Sequence, residues 1–95
     1  MKRRTMVVFA YDIPDNRRRS RISRALEDMG CRVQLSVFEG WLTDEQLNEA
    51  MRFLRAQLDS GTDKLRVYRL CATCVKQVLT IGCAPPEPVP DFLLV

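Results

Sequence analysis

Hydrophobic and polar positions fall into a few distinct patterns along the chain, and the changes between them mark the elements. Met6-Val7-Val8-Phe9-Ala10-Tyr11 is an unbroken apolar run, rich in β-branched and aromatic residues, and predicts a buried strand over residues 4–12. It stops at Asp12-Ile13-Pro14-Asp15-Asn16, where Pro14 turns Ile13 from helical angles and Asp15 or Asn16 can cap a following helix. A 3.6-residue period then predicts a helix from Arg17 to Met29, with Ile22, Ala25, Leu26 and Met29 as its core face and Gly30 as its stop. Residues 31–42 alternate. Val33, Leu35 and Val37 form an apolar face opposite Gln34, Ser36 and Phe38, as one long strand or as two with a break at residues 34–36. Thr43 and Gln46 make a capping box for a second helix carrying Leu47, Ala50, Met51, Leu54 and Leu58, which Ser60-Gly61 ends. Asp63–Leu70 reads as a strand, Cys71–Cys74 as a short turn, and Val78–Gly82 as a further, edge strand expected to pair with a second copy of the chain. The order β-α-β(β)-α-β-β is that of one α+β domain over residues 1–83. Residues 84–95 form a proline-rich tail, extended through Pro85, Pro86, Pro88 and Pro90 and ending in Phe92-Leu93-Leu94-Val95. Four bulky apolar residues on a stiff linker predict a partner-binding segment, buried against this sheet, a second copy or another protein.

Charge changes this picture because it is uneven. Residues 1–32 hold nine Lys/Arg against four Asp/Glu, and residues 33–95 six against eight. The basic half suits a polyanion, bound with counterion release. No stretch approaches the ~18 apolar residues of a membrane span, and the apolar run after Lys2-Arg3-Arg4 is cut short by Asp12. The expectation is a cytoplasmic protein without a membrane partner, whose four cysteines stay reduced. Ninety-five residues give a small core, so association with a partner would help stability.

The absence of histidine removes Ser-His-Asp and Cys-His catalysis and every His-bearing metal site. Hydrolysis of a phosphodiester would then rest on carboxylates holding Mg²⁺ or another divalent cation. Asp12 at the end of the first strand is the leading ligand candidate and Asp15 the weaker one; both also suit plain turn and cap roles. Arg17, Arg18, Arg19, Arg21 and Arg24 crowd into eight residues at the positive end of a helix, against the dipole, and are candidates for phosphate contact. Arg24 could instead pair with Glu27 or Asp28. Cys71-x-x-Cys74 is a weak signal. Zinc would need Cys31 and Cys83 as well, a redox pair would lack its usual fold context, and buried or half-buried thiols are the expectation. Phe38 suits a protein interface better than base stacking.

Tyr11-Asp12-Ile13, the Arg17–Ile22 stretch, Gln34-Leu35-Ser36-Val37-Phe38-Glu39-Gly40 and Val67-Tyr68-Arg69-Leu70, at these separations, resemble the CRISPR-associated protein 2 family over residues 5–82. The resemblance implies a ferredoxin-like β-α-β-β-α-β fold with an additional C-terminal strand and tail. It implies a homodimer with one strand-end aspartate per subunit near the two-fold axis. It also implies metal-dependent endonuclease activity on RNA or DNA, and a role beside the CRISPR-associated integrase in acquiring new spacers. Carried over by position, Asp12 would be the metal ligand, and Tyr11, Arg19, Arg21, Arg32, Ser36 and Phe38 would join it in activity. A non-catalytic scaffold that holds duplex DNA between integrase dimers is the alternative, and single-stranded RNA is the other nucleic-acid candidate.

Overall fold

The computed structural model describes residues 3–86, the Gln34 side chain excepted, and the strand β1 (Arg4–Asp12) lies inside its sheet. The chain continues through α1 (Asn16–Glu27), β2 (Cys31–Gln34), β3 (Val37–Thr43), α2 (Asp44–Gln57), β4 (Lys64–Leu70) and a single-turn α3 (Ala72–Val75). The strands order as β2-β3-β1-β4, every neighbouring pair antiparallel. This is the ferredoxin-like α+β arrangement expected from the resemblance. β1 is central because its run of apolar side chains has neighbours to bury it on both edges, β3 on one side and β4 on the other.

The two helices cover one face of the sheet. Val7, Phe9, Tyr11 and Ile13 from β1 and the turn after it meet Phe38 and Leu42 of β3, Ile22 and Leu26 of α1, and Leu47, Ala50 and Leu54 of α2. Asp15 caps α1, one carboxylate oxygen accepting from the Arg18 N–H at 2.8 Å, so a negative charge answers the arginines at the helix start. The capping box of α2 is complete, with Thr43 and Gln46 serving each other's backbone N–H groups. Gly30 does not end α1 with a left-handed turn, because among the described residues only Gly82 has positive φ. Its role is steric: a Cβ on Gly30 would lie 2.0 Å from the Glu39 carbonyl oxygen, and one on Gly40 2.5 Å from that of Met29. Two glycines let the α1–β2 turn lie directly on β3.

Of the two readings of residues 31–42 the two-strand one holds, while the faces of that stretch, the Val78–Gly82 segment within a single chain and the cysteines differ from expectation. Residues 31–42 form two strands, joined by a turn at Leu35-Ser36 with an irregular register between Arg32 and Gln34. That irregularity and the turn decouple the faces on either side, so Val33 and Leu35 are exposed while Phe38, placed on the polar face by alternation, is buried. Val78–Gly82 forms no strand within a single chain, and Leu79 and Ile81 stand 94% and 99% exposed. A strand needs a neighbour, and here the chain offers itself none. All four cysteines are exposed thiols rather than buried ones. The tail residues Phe92, Leu93, Leu94 and Val95 lie outside the described residues.

The second face of the sheet is largely open. Met6 and Trp41 meet Val75 of α3 and Leu70 at one end. Directly opposed residues share a face, so Val8, Ala10 and Asp12 of β1, with Glu39 and Val37 of β3 and Tyr68, Arg66 and Lys64 of β4, line the remainder. No described helix is long and apolar enough to cross a membrane.

Candidate metal and nucleic-acid site

Asp12 is the last residue of β1 and the last on the open face. Its side chain is exposed and, among the described residues, makes no hydrogen bond or ion pair. Lys64 is its register partner on β4. The next residue, Ile13, returns to the core at 2% exposure, so the carboxylate is held between two buried neighbours, Tyr11 and Ile13.

Beneath it the structure brings together most of the residues the family resemblance singles out. The Tyr11 hydroxyl shares a buried hydrogen bond with Ser23 Oγ of α1 at 2.8 Å. The Tyr11 ring stacks on Phe38 with centroids 6.3 Å apart and planes 19° from parallel. The Tyr11 N–H donates to the Ser36 carbonyl at 3.1 Å, which ties the β2–β3 turn to β1. The Arg32 guanidinium lies 5.6 Å from the centre of the Phe38 ring and donates to Glu27 Oε1 at 2.9 Å. Phe38 is therefore a buried support, neither an interface residue nor a platform for a base. Arg19 Nη1 donates to the Ile13 carbonyl at 2.9 Å, and its other nitrogen to Asn16 Oδ1, so this arginine braces the turn that follows Asp12.

The five clustered arginines divide by role. Arg18 grips Asp63, with Nη2 3.0 Å from Oδ1 and Nε donating to the other carboxylate oxygen. Asp63 also accepts the Asp59 N–H at 3.0 Å, and the Arg18 guanidinium above all holds its carboxyl well below the usual range, at about 2. Arg21 donates to Gln57 of α2 at 2.8 Å. Arg17 and Arg24 have no ion pair among the described residues, since Glu27 pairs with Arg32 rather than with Arg24. Arg17, Arg21 and Arg24, with Asn16 and Ser20, line a shallow hollow on α1. A second hollow between α1 and the β2–β3 hairpin holds Arg19, Arg24 and Arg32 with Ser20, Ser23, Leu35 and the Glu27 carboxylate, a net positive set. Both are open, cationic and free of aromatic surface, which suits phosphate rather than bases.

Ser23 and Asp63 were not singled out from sequence, and Glu27 only as a partner for Arg24. Each acts on a partner at least five residues away, and only the 3D arrangement reveals that. Among the described residues no three Cys, Asp or Glu side chains gather where they could hold a metal, which leaves no four-cysteine zinc site there.

Residues 5–78 match the family model for CRISPR associated protein Cas2. The chain belongs to the Cas2 family. It is 41% identical over 90 residues to the CRISPR-associated endoribonuclease Cas2 3 of Synechocystis sp., a match covering 95% of this chain and 98% of the relative. A Rhodospirillum rubrum relative, CRISPR-associated endoribonuclease Cas2 4, is 35% identical across 86% of this chain but only 66% of its own length. The crystal structure of Streptococcus pyogenes Cas2 at pH 6.5 superposes with a TM-score of 0.74 at 30% identity, covering 81% of this chain and 99% of that one. A chain of a partial Cas6-RT-Cas1–Cas2 complex does so with a TM-score of 0.65 at 26% identity, covering 92% and 95%. In this Cas2 chain the motif aspartate is the exposed, unpartnered carboxylate at the end of the central strand.

Proposed function

We propose that this Cas2 chain is a metal-dependent endonuclease of CRISPR adaptation, working in the cytoplasm as a homodimer beside the CRISPR-associated integrase. The observation that carries the reading is Asp12: an exposed carboxylate with no partner of its own, held rigidly at a strand end on the open face of the sheet. One carboxylate per chain fits Mg²⁺, which keeps most of its waters and takes few protein ligands. When bound, such a cation supplies an activated water and neutralises charge on the scissile phosphate. The chain's own residues do the rest. Tyr11, Ser23 and Phe38 fix the strand end, Arg19 braces the turn after it, and Arg17, Arg21 and Arg24 draw in and orient the phosphate backbone.

The homodimer reading rests on two exposed features: the open face that carries Asp12, and the apolar segment 78–82, which lacks a strand partner in its own chain. A second copy supplies both a cover for the face and a sheet edge for the segment. The integrase partnership is supported by the similarity to a chain of a Cas1–Cas2 complex.

A second reading, a DNA-holding scaffold without turnover, is favoured by the single carboxylate and the lack of a three-ligand cluster among the described residues. Incubating the protein with end-labelled single-stranded RNA and duplex DNA, with Mg²⁺ or with chelator, decides between them. The endonuclease reading expects Mg²⁺-dependent cleavage of one substrate, reduced to background in Asp12→Asn while fold and dimer persist. Duplex binding without cleavage by the wild type, or cleavage unchanged in the variant, removes the catalytic assignment.

A further inference from the structure

Cys71 and Cys74 stand apart from everything described so far. Cys71 follows β4 and caps α3, and Cys74 lies one turn later, so the two sulfurs come within 3.4 Å of each other at the protein surface. The Cys74 N–H points at Cys71 Sγ from 3.5 Å. A thiol that accepts a backbone N–H holds its thiolate more readily, and a pair already in contact has a resolving partner beside any oxidised sulfur.

We infer that Cys71 and Cys74 form a reversible dithiol–disulfide site that takes peroxide as its oxidant. The Cys71 thiolate attacks one oxygen of hydrogen peroxide and the O–O bond breaks. This leaves a sulfenic acid on Cys71 and a hydroxide that leaves as water. The Cys74 sulfur then attacks the Cys71 sulfur, the S–O bond breaks, and the departing hydroxide takes the Cys74 proton as a second water. Two thiols lose two electrons, two peroxide oxygens are reduced to water, and one S–S bond forms. A dithiol reductant reverses it.

Geometry favours this direction of attack. The Cys74 N–H, then the Cys74 thiol, hold the Cys71 thiol below the ordinary cysteine value, while the hydrogen bond with Cys71 raises that of Cys74. Cys71 is thus the thiolate that attacks first and Cys74 the one that resolves. Closing from 3.4 Å to a bond of about 2.05 Å is a short approach between two side chains of one helical turn. Exposed disulfides are the more easily reduced ones, which makes the site reversible. The bridge would staple the turn whose Val75 is anchored against Met6 and Trp41, just ahead of the exposed segment 78–82.

The full-length reduced chain provides the test, by peroxide titration, alkylation of the remaining thiols and tryptic mass mapping. Cleavage after Arg69 and Lys76 gives a peptide, Leu70–Lys76, that contains both cysteines and no others. The expected result is that this peptide loses two hydrogens and its alkylation sites severalfold faster than Cys31 or Cys83 are lost, and that dithiothreitol restores it. Cys74→Ser should stall Cys71 as a sulfenic acid captured by dimedone. Oxidation of all four cysteines at one rate, or cross-linking of Cys71 or Cys74 to another chain instead of to each other, overturns the assignment. The wild-type comparison stands even where the variant is unstable.

Discussion

Asp63 shows how a single side chain can hold two elements together at a distance. It stands just before β4, reaches Arg18 in the first turn of α1, and also closes the turn from Asp59. Its carboxyl titrates at about 2 when folded, below the usual carboxylate value near 3.9. A depressed pKa stabilises the fold fully above the unfolded value and loses that contribution as pH falls towards the folded one. Stability should therefore decline between about pH 4 and pH 2 through this residue, and Asp63→Asn should be less stable at pH 7 with a flatter profile across that window. Urea midpoints measured from pH 7 to pH 2 on both proteins check this. Residue roles were the least legible part of the sequence. The position of Asp12 could be read from an abrupt end to an apolar run, a local signal. The duties of Arg18, Arg19 and Phe38 could not, because each is set by a partner brought near by folding: Asp63, the Ile13 carbonyl and Tyr11.

At the scale of elements, α1 serves two sides. Ile22 and Leu26 face the core, while Arg17, Arg21 and Arg24 face outward as a stripe with few internal partners. If that stripe follows a phosphate backbone, replacing Arg17 and Arg24 with Glu removes about two contacts and lowers the slope of log affinity against log salt by nearly two on duplex DNA. Filter binding over a salt series measures it, and an unchanged slope places the nucleic acid elsewhere. The helices were readable because caps and periodicity are local, as with Thr43 and Gln46 for α2. The segment Val78–Gly82 forms no strand within the single chain for a physical reason: strand propensity is expressed only against a neighbouring strand. Leu79 and Ile81 are almost wholly exposed in the single chain, so Asp at both positions should leave the subunit's own fold intact. Each such side chain is worth about 1.5–3 kcal/mol when buried, so the same change should turn a dimer into a monomer in light scattering. A dimer that survives the substitution excludes this segment from its interface.

For the whole molecule, the decisive feature is that the sheet is covered on one face and largely bare on the other, with Asp12 at the bare face's edge. The fold class could be read from the order of elements. Which face would stay open could not, because alternation in a strand identifies two faces without saying which one the helices will take. The strand order β2-β3-β1-β4 has a consequence for how the protein is made. β1 leaves the ribosome ahead of both its partners, yet residues 4–10 pair with 37–43 and residues 6–12 with 64–70. The most apolar strand of the chain must wait for nearly all the rest before both its edges are satisfied. Loop closure over such distances slows folding, and until β4 arrives the unpaired edge of β1 is an invitation to aggregate or to be held by a chaperone. Ribosome-bound chains ending before residue 64 should be cut readily by protease around β1, and chains with residues 64–77 clear of the exit tunnel should resist. Synthesis rate, through the time β1 spends half-paired, thus becomes a determinant of yield.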